Sequence, residues 1–282
     1  MNIKKIGVIG AGQMGNGIAH VLSLGGYKVI INDIDEGILR EASQKIKNNL
    51  ERQINSQKIS IDESHAALKL INYSVSLEDF SDVDLVIEAA TEDESTKQKI
   101  ISSLLPHIQE HTILTSNTSS ISITRLASCT DRPEKFMGFH FMNPVPVMQL
   151  VELIRGIATN QDTYQSCLEV VERLGKTAAR SEDFPAFIVN RILMPMINEA
   201  VYALYEGVGS VESIDTSMKL GANHPMGPLE LADFIGLDTC LAIMKVLHKD
   251  MKDDKYRPCP LLEEMVSKGK FGRKSGEGFY KY

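Results

Sequence analysis

Long apolar runs are missing from this 282-residue chain. No window approaches the roughly 18 to 20 consecutive apolar residues of a membrane span, so no membrane partner is expected. The opening "MNIKKIGVIGAG" is apolar for only a few residues before its glycines, and it lacks the apolar core and cleavage site of a secretory signal. Cysteine is scarce. Cys129, Cys167, Cys240 and Cys259 are scattered without CxxC or metal-ligand spacing, which speaks against a disulfide framework or a zinc module and for reduced thiols with packing roles. No metal is expected. Basic charge is in deficit, with 30 Lys and Arg against 37 Asp and Glu and a formal net charge of -7. Such a chain does not offer the basic surface that nucleic acid or an anionic membrane requires. A small basic pocket for a phosphorylated ligand stays compatible with it. Internal repeats and low-complexity tracts are absent too, and the expectation is a soluble, cytoplasmic protein.

What is present is ordinary globular chemistry on a chain long enough for two domains. The first half alternates short β-branched runs with helical patterns, the grammar of a parallel sheet flanked by helices. "KKIGVIG" reads as a strand, residues 13–24 as a helix and "YKVIIND" as a second strand. Ile38, Leu39, Ala42, Ile46, Leu50 and Ile54 then recur at helical spacing, which predicts an amphipathic helix longer than a standard crossover, hence a helical arm over residues 35–70. Further strands are expected at "DLVIEAA", "TILTSN", "KFMGFHF", "QLVELI" and "KTAARS", with helices over 94–106 and 162–174. At "EDFPAF" the grammar changes, and from Ile188 onward only helical patterns appear, including one over 227–250. The expected organisation is an α/β domain over 1–184 followed by an all-α domain over 185–282.

"GVIGAGQMG" sets Gly10, Gly12 and Gly15 in G-x-G-x-x-G spacing after a strand and at the opening of a helix. Gly10 allows a tight turn, Gly12 lets backbone approach a pyrophosphate, and Gly15 permits close packing of helix on strand. Ala11, Gln13 and Met14 complete the turn. Asp33, 18 residues after Gly15, ends the second strand, where an acid accepts hydrogen bonds from an adenosine ribose. Its charge repels a 2'-phosphate, which favours NAD over NADP. The first domain is therefore expected to be of the Rossmann type. A plain βαβ turn with an acid at a strand end is the competing reading.

With that turn placed, "SNTSS" at 116–120, "HFMNPVPVMQLVE" at 140–152, "IVNR" at 188–191, "MKLGANHPMGPLELADFIGLD" and the terminal "GRKSGEGFY" form a set spanning nearly the whole chain. The set resembles the 3-hydroxyacyl-CoA dehydrogenase family, and most closely its short, monofunctional bacterial branch acting on 3-hydroxybutyryl-CoA. The resemblance implies an NAD-binding domain, a helical domain that makes most of the contact in a homodimer, and an acyl-CoA thioester in the cleft between them. It implies His140 as catalytic base, Glu152 as its partner, and Ser119 and Asn190 as polar groups that hold the substrate. It also implies NAD contacts at Glu92, Lys97, Ser119, Asn143 and Lys274. Arg52 and Lys58 on the helical arm are candidates for the CoA phosphates. Fatty-acid degradation and butanoate formation use this chemistry in opposite directions.

The reaction itself makes demands that can be read on the residues. Oxidising a secondary alcohol requires removal of its hydroxyl proton as hydride leaves, a task suited to histidine. Two neighbouring strands joined by the Pro144 and Pro146 loop can bring Glu152 to the far ring nitrogen of His140. Taken singly, each residue also has a plainer reading. His140 can be a core histidine, Ser119 or Ser120 a helix cap, Asn190 a helix-packing amide, and Glu92, Lys97 and Lys274 solvated charges. A dehydrogenase of free hydroxy or sugar acids and an inactive NAD-binding scaffold are the alternative functions. Two positions depart from the family pattern, Ala186 where glycine is common and Gln149 where lysine is common. Alanine at 186 is strained if the backbone there takes positive φ.

Overall fold

The structure is a computed structural model that describes residues 3–282. The chain divides into two compact units, one ending at Asp183 and the other Phe184–Tyr282. The first opens with β1 (Lys5–Ile9), α1 (Gln13–Leu24), β2 (Lys28–Asn32), α2 (Glu36–Asn55), α3 (Ile61–Lys69) and β3 (Ile71–Ser74). It continues with β4 (Leu85–Glu88), α4 (Glu94–Leu104), β5 (Ile113–Ser116), α5 (Ile123–Ala127), β6 (Phe136–Phe141), β7 (Leu150–Arg155), α6 (Gln161–Arg173) and β8 (Thr177–Glu182). Among the described residues these strands form one eight-stranded sheet in the order β3-β2-β1-β4-β5-β6-β7-β8, a Rossmann-type arrangement. All pairs are parallel except β6 with β7. The central strands read "KIGVI", "KVIIN", "LVIE" and "ILTS" because helices cover both faces, so nearly every side chain is buried.

Strand order reverses between β1 and β4, which opens a crevice at the carboxyl ends of the strands where α/β sheets bind ligands. Leu39, Ala42, Ile46 and Leu50 of α2 are buried in the core with α1 and the sheet. The pattern over 35–70 is two helices rather than one. Gln57 turns the chain with φ 56°, and α3 restarts on a capping box in which Ser60 Oγ accepts from Glu63 N–H at 3.2 Å while the Glu63 carboxylate accepts from Ser60 N–H at 2.7 Å. The edge strand β3 has no counterpart in the sequence expectation. It is four residues long with one buried side chain, too short and too polar to leave a pattern.

The second unit consists of α7 (Val189–Tyr205), α8 (Val211–Gly221), α9 (Pro228–Ile235), α10 (Leu237–Met251) and α11 (Pro260–Ser267). The single pattern over 227–250 is broken by Gly236 at φ 106°, which separates α9 from α10. Two buried carboxylates fasten the C-terminal segment. Asp233 accepts from Phe279 and Tyr280 N–H at 2.9 Å each, and Asp215 accepts from Leu229 N–H at 2.8 Å and Tyr280 Oη–H at 2.8 Å. Ala186 does lie in the left-handed region, with φ 63°. That conformation costs an L-residue roughly 1–2 kcal/mol, but the Ala186 methyl is fully buried in the core of this unit, and a buried methyl returns about 0.8 kcal/mol. Burial of the methyl thus offsets part of the backbone strain. Among the described residues no helix is long and apolar enough to cross a membrane.

Candidate active site

The glycine turn links β1 to α1 and has the shape a dinucleotide needs. Gly10 stands at φ 93°, and a Cβ on it would lie 2.7 Å from the carbonyl oxygen of Ala89. A Cβ on Gly15 would lie 1.7 Å from the Gly10 carbonyl oxygen, so helix and strand approach too closely for any side chain. Gly12 differs: nothing lies within 4 Å of its Cβ position, which leaves open space at the start of α1. That start has neither a side-chain cap nor an acid in its first turn, whereas Asp35 and Asp93 cap α2 and α4. Its amides and the positive end of the helix dipole are suited to a pyrophosphate. Asp33 receives Ala11 N–H on Oδ2 at 2.9 Å. Its Oδ1 has only a 3.4 Å contact with Asp35 N–H, so that oxygen can take a ribose hydroxyl. Gln13 Nε2 donates to Asn143 Oδ1 at 3.1 Å, which ties the first turn of α1 to the loop after β6.

His140 and Glu152 face each other in the antiparallel β6–β7 register. Directly opposed residues share a face of the sheet, and His140 Nδ1 lies 2.8 Å from Glu152 Oε2. His140 is 7% exposed and Glu152 0%, so their interaction has little water to screen it. Strand alternation sends Phe139 and Phe141 to the other face, where their rings stack at 5.0 Å in the core. The end of β6 is further held by Asn117, whose Oδ1 accepts from Phe141 N–H at 2.8 Å. Lys176 holds the proline loop by donating to the carbonyl oxygens of Val145 at 2.8 Å and Met148 at 2.7 Å. Burial lowers the Lys176 pKa. Neither Asn117 nor Lys176 stood out in the sequence, because their partners are backbone atoms that only the folded chain brings near.

A second polar cluster lies at the ends of β4 and β5. Glu92 Oε1 receives Thr118 Oγ1–H at 2.6 Å, Ser119 N–H at 2.8 Å and Ser119 Oγ–H at 3.1 Å, together with the amide and hydroxyl of Ser120 at 3.2 Å each. Burial pushes the Glu92 carboxyl up, yet Lys97 and the hydrogen bonds from Thr118 and Ser119 together outweigh it and hold the pKa below the usual value. The plainer reading of Ser119 or Ser120 as a helix cap does not hold. The cap of α5 is Ser122, whose Oγ accepts from Arg125 N–H at 3.2 Å. Lys97 is 1% exposed and not a solvated charge, for its ammonium sits 2.8 and 2.9 Å from the two oxygens of Glu88. In the sequence Glu88 is hidden at the end of an apolar strand, "LVIE". The signal available was a carboxylate at a strand end nine residues before a lysine.

Arg52 lines a cavity of about 430 Å³ bordered also by Lys45, Asn48, Asn49, Gln13 and Asn143. Lys58 lies exposed in the turn after α2, outside that lining. Asn190 and Lys274 belong to the second unit. Asn190 stands half-buried in the first turn of α7. Lys274 is not a free loop charge: its ammonium contacts Asp238 Oδ1 at 2.9 Å and Thr239 Oγ1 at 3.0 Å at the start of α10. Among the described residues no group of three or more His, Cys, Asp or Glu side chains could hold a metal ion.

The model of the 3-hydroxyacyl-CoA dehydrogenase NAD-binding domain matches residues 5–184, and that of the C-terminal domain of the same enzymes matches residues 187–282. The chain is 60% identical to 3-hydroxybutyryl-CoA dehydrogenase of Bradyrhizobium diazoefficiens, over 99% of this chain and 96% of that one. It is 50% identical to the probable 3-hydroxybutyryl-CoA dehydrogenase of Bacillus subtilis, over 100% and 98% of the two chains. The crystal structure of (S)-3-hydroxybutyryl-CoA dehydrogenase from Ralstonia eutropha superposes with a TM-score of 0.97 at 47% identity, covering 100% of this chain and 99% of the other. With both halves matched and the relatives covered nearly end to end, the chain belongs to the 3-hydroxyacyl-CoA dehydrogenase family.

Proposed function

We propose that this chain is an NAD-dependent (S)-3-hydroxyacyl-CoA dehydrogenase that interconverts 3-hydroxybutyryl-CoA and acetoacetyl-CoA in the cytosol. The observation that carries the reading is the buried His140–Glu152 pair, 2.8 Å apart at the carboxyl end of β6. With Nδ1–H donated to Glu152, the accepting role toward the substrate hydroxyl falls to the other ring nitrogen. In oxidation His140 takes that proton, and the Glu152 carboxylate stabilises the resulting imidazolium. In reduction the imidazolium donates to the ketone oxygen. NAD bound at the glycine turn supplies the hydride acceptor, and in its reduced form the donor. Ser119 and Asn190 hold the substrate oxygen and thioester, while Glu92, Lys97, Asn143 and Lys274 contact the coenzyme. Arg52 is the cation for a CoA phosphate, supported by its place on the wall of that cavity beside Lys45, Asn48 and Asn49, and Lys58, exposed in the turn after α2, is a second candidate. A homodimer is supported by exposed apolar side chains of the second unit, among them Ile192, Tyr205, Val208 and Leu220.

The test is loss of reduced-nicotinamide absorbance with acetoacetyl-CoA, run beside free acetoacetate and with NADPH in place of NADH. Rapid turnover that requires both CoA and NADH is the expected result. Turnover of free acetoacetate at a comparable rate would move the assignment to a dehydrogenase of free acids. The coenzyme preference is assigned to Asp33, so Asp33→Ala should lower the ratio of kcat/KM for NADH over NADPH by at least about tenfold, the scale of one lost charge-assisted hydrogen bond. An unaltered ratio would take the discriminating role away from Asp33.

A further inference from the structure

We propose that Glu88 is a positioning residue for the coenzyme end of this site, acting through Lys97 on Glu92 and the 118–120 turn. The inference rests on the reading of Glu92, Lys97 and Ser119 as coenzyme contacts. Glu88 is 2% exposed at the end of β4, the strand beside the crevice where the sheet order reverses. All its hydrogen-bonding capacity is directed at neighbouring elements. Oε1 accepts from Ala90 N–H at 2.8 Å and from Lys97 at 2.8 Å; Oε2 accepts from Lys97 at 2.9 Å and from Ser116 Oγ–H at 2.6 Å. Its carbonyl oxygen also accepts from Asn117 N–H at 2.7 Å. One side chain thereby fixes the turn after β4, the first helical turns of α4 and the end of β5.

Stability alone is a weak reason for such a pair, since a buried ion pair is often no better than apolar residues of similar volume. What it does is divide one ammonium between two carboxylates. Lys97 Nζ is bidentate to Glu88 and stands 3.6 Å from Glu92 Oε2. That leaves Glu92 Oε1 to grip Thr118, Ser119 and Ser120. With the Glu88 charge gone, buried Lys97 has Glu92 as its one remaining carboxylate partner. Glu92 is then drawn toward the ammonium and away from the 118–120 turn, which displaces Ser119.

The experiment measures the NADH dissociation constant by fluorescence titration of Glu88→Gln, Glu88→Asp, Glu92→Gln and the Glu88→Gln/Glu92→Gln double variant. Loss of the outer partner that orients a metal ligand typically costs about ten- to a hundredfold in affinity or activity, and by analogy a loss of about tenfold is expected for Glu88→Gln. Glu88→Asp keeps the charge but draws it back by one methylene, and should show a smaller loss of about threefold. Because Glu88 is argued to act through Glu92, adding Glu88→Gln to Glu92→Gln should produce almost no further loss. Unchanged NADH affinity in Glu88→Gln overturns the proposal, as does a double variant in which the two losses multiply. If Glu88→Gln does not fold, Glu88→Asp carries the test, with a reproducible loss supporting the role and wild-type affinity rejecting it. Failure of the functional reading would appear separately, as wild-type protein that binds NADH and leaves acetoacetyl-CoA unreduced.

Discussion

Replacing His140 with glutamine is expected to lower kcat roughly a hundred- to ten-thousand-fold, the range that a positioned general base contributes, while NADH binding stays intact. Glutamine fills nearly the same space and can still hydrogen-bond Glu152, so the register of β6 on β7 that pairs the two positions should survive. What is lost is a group that can both accept and return a proton. The fall should therefore appear in both directions of the reaction, with acetoacetyl-CoA reduction and 3-hydroxybutyryl-CoA oxidation impaired together. A loss confined to KM would mean that His140 binds substrate without moving its proton. Turnover within a few-fold of wild type would return His140 to the core-histidine reading that its apolar strand invites.

Much of the first unit was legible because its elements follow local rules. The β-branched runs at β1, β2, β4 and β5 are buried on both faces, and the 13–24 helix is bounded by glycines on either side. The splits at Gln57 and Gly236 were harder, since an apolar period can run across a turn without losing phase. The break at Gln57 nonetheless left a readable trace in the Ser60–Glu63 capping box. The site divides in the same manner. The pairing of His140 with Glu152 follows from the family resemblance, and the twelve residues and two prolines between them leave enough chain for two neighbouring strands to bring them together. Glu88 could not be recognised, because its role depends on where Lys97 and Ser116 come to rest relative to β4. Taken alone and apart from the family resemblance, Lys97 reads as a surface charge for the same reason: only the fold shows that it is buried.

Glu152→Gln is the second change expected to have a large effect, roughly a hundred- to ten-thousand-fold on kcat by comparison with carboxylates that orient a catalytic histidine elsewhere. Its substitution separates two roles that the 2.8 Å contact to His140 Nδ1 combines. Glutamine preserves the shape of the side chain; its carbonyl oxygen turned toward Nδ1 accepts the same hydrogen bond, whereas its amide nitrogen turned there fixes the other tautomer. The negative charge is removed, and with it the attraction that stabilises imidazolium when His140 takes the substrate proton. Glu152 is 0% exposed, so solvent cannot replace that attraction, which is stronger in a buried setting than in water. Glu152→Asp tests the complementary case. It keeps the charge but shortens the side chain by one methylene while β7 holds its backbone against β6, so the carboxylate cannot reach Nδ1 without strain. If charge dominates, Asp should turn over faster than Gln; if geometry dominates, Gln should be the faster of the two. Both variants are to be compared at matched folded fraction, established by thermal unfolding, because losing a buried charge or shortening a core side chain shifts stability independently of turnover. Wild-type kcat in folded Glu152→Gln would remove the carboxylate from the proton-transfer step and leave it as a structural partner of the histidine.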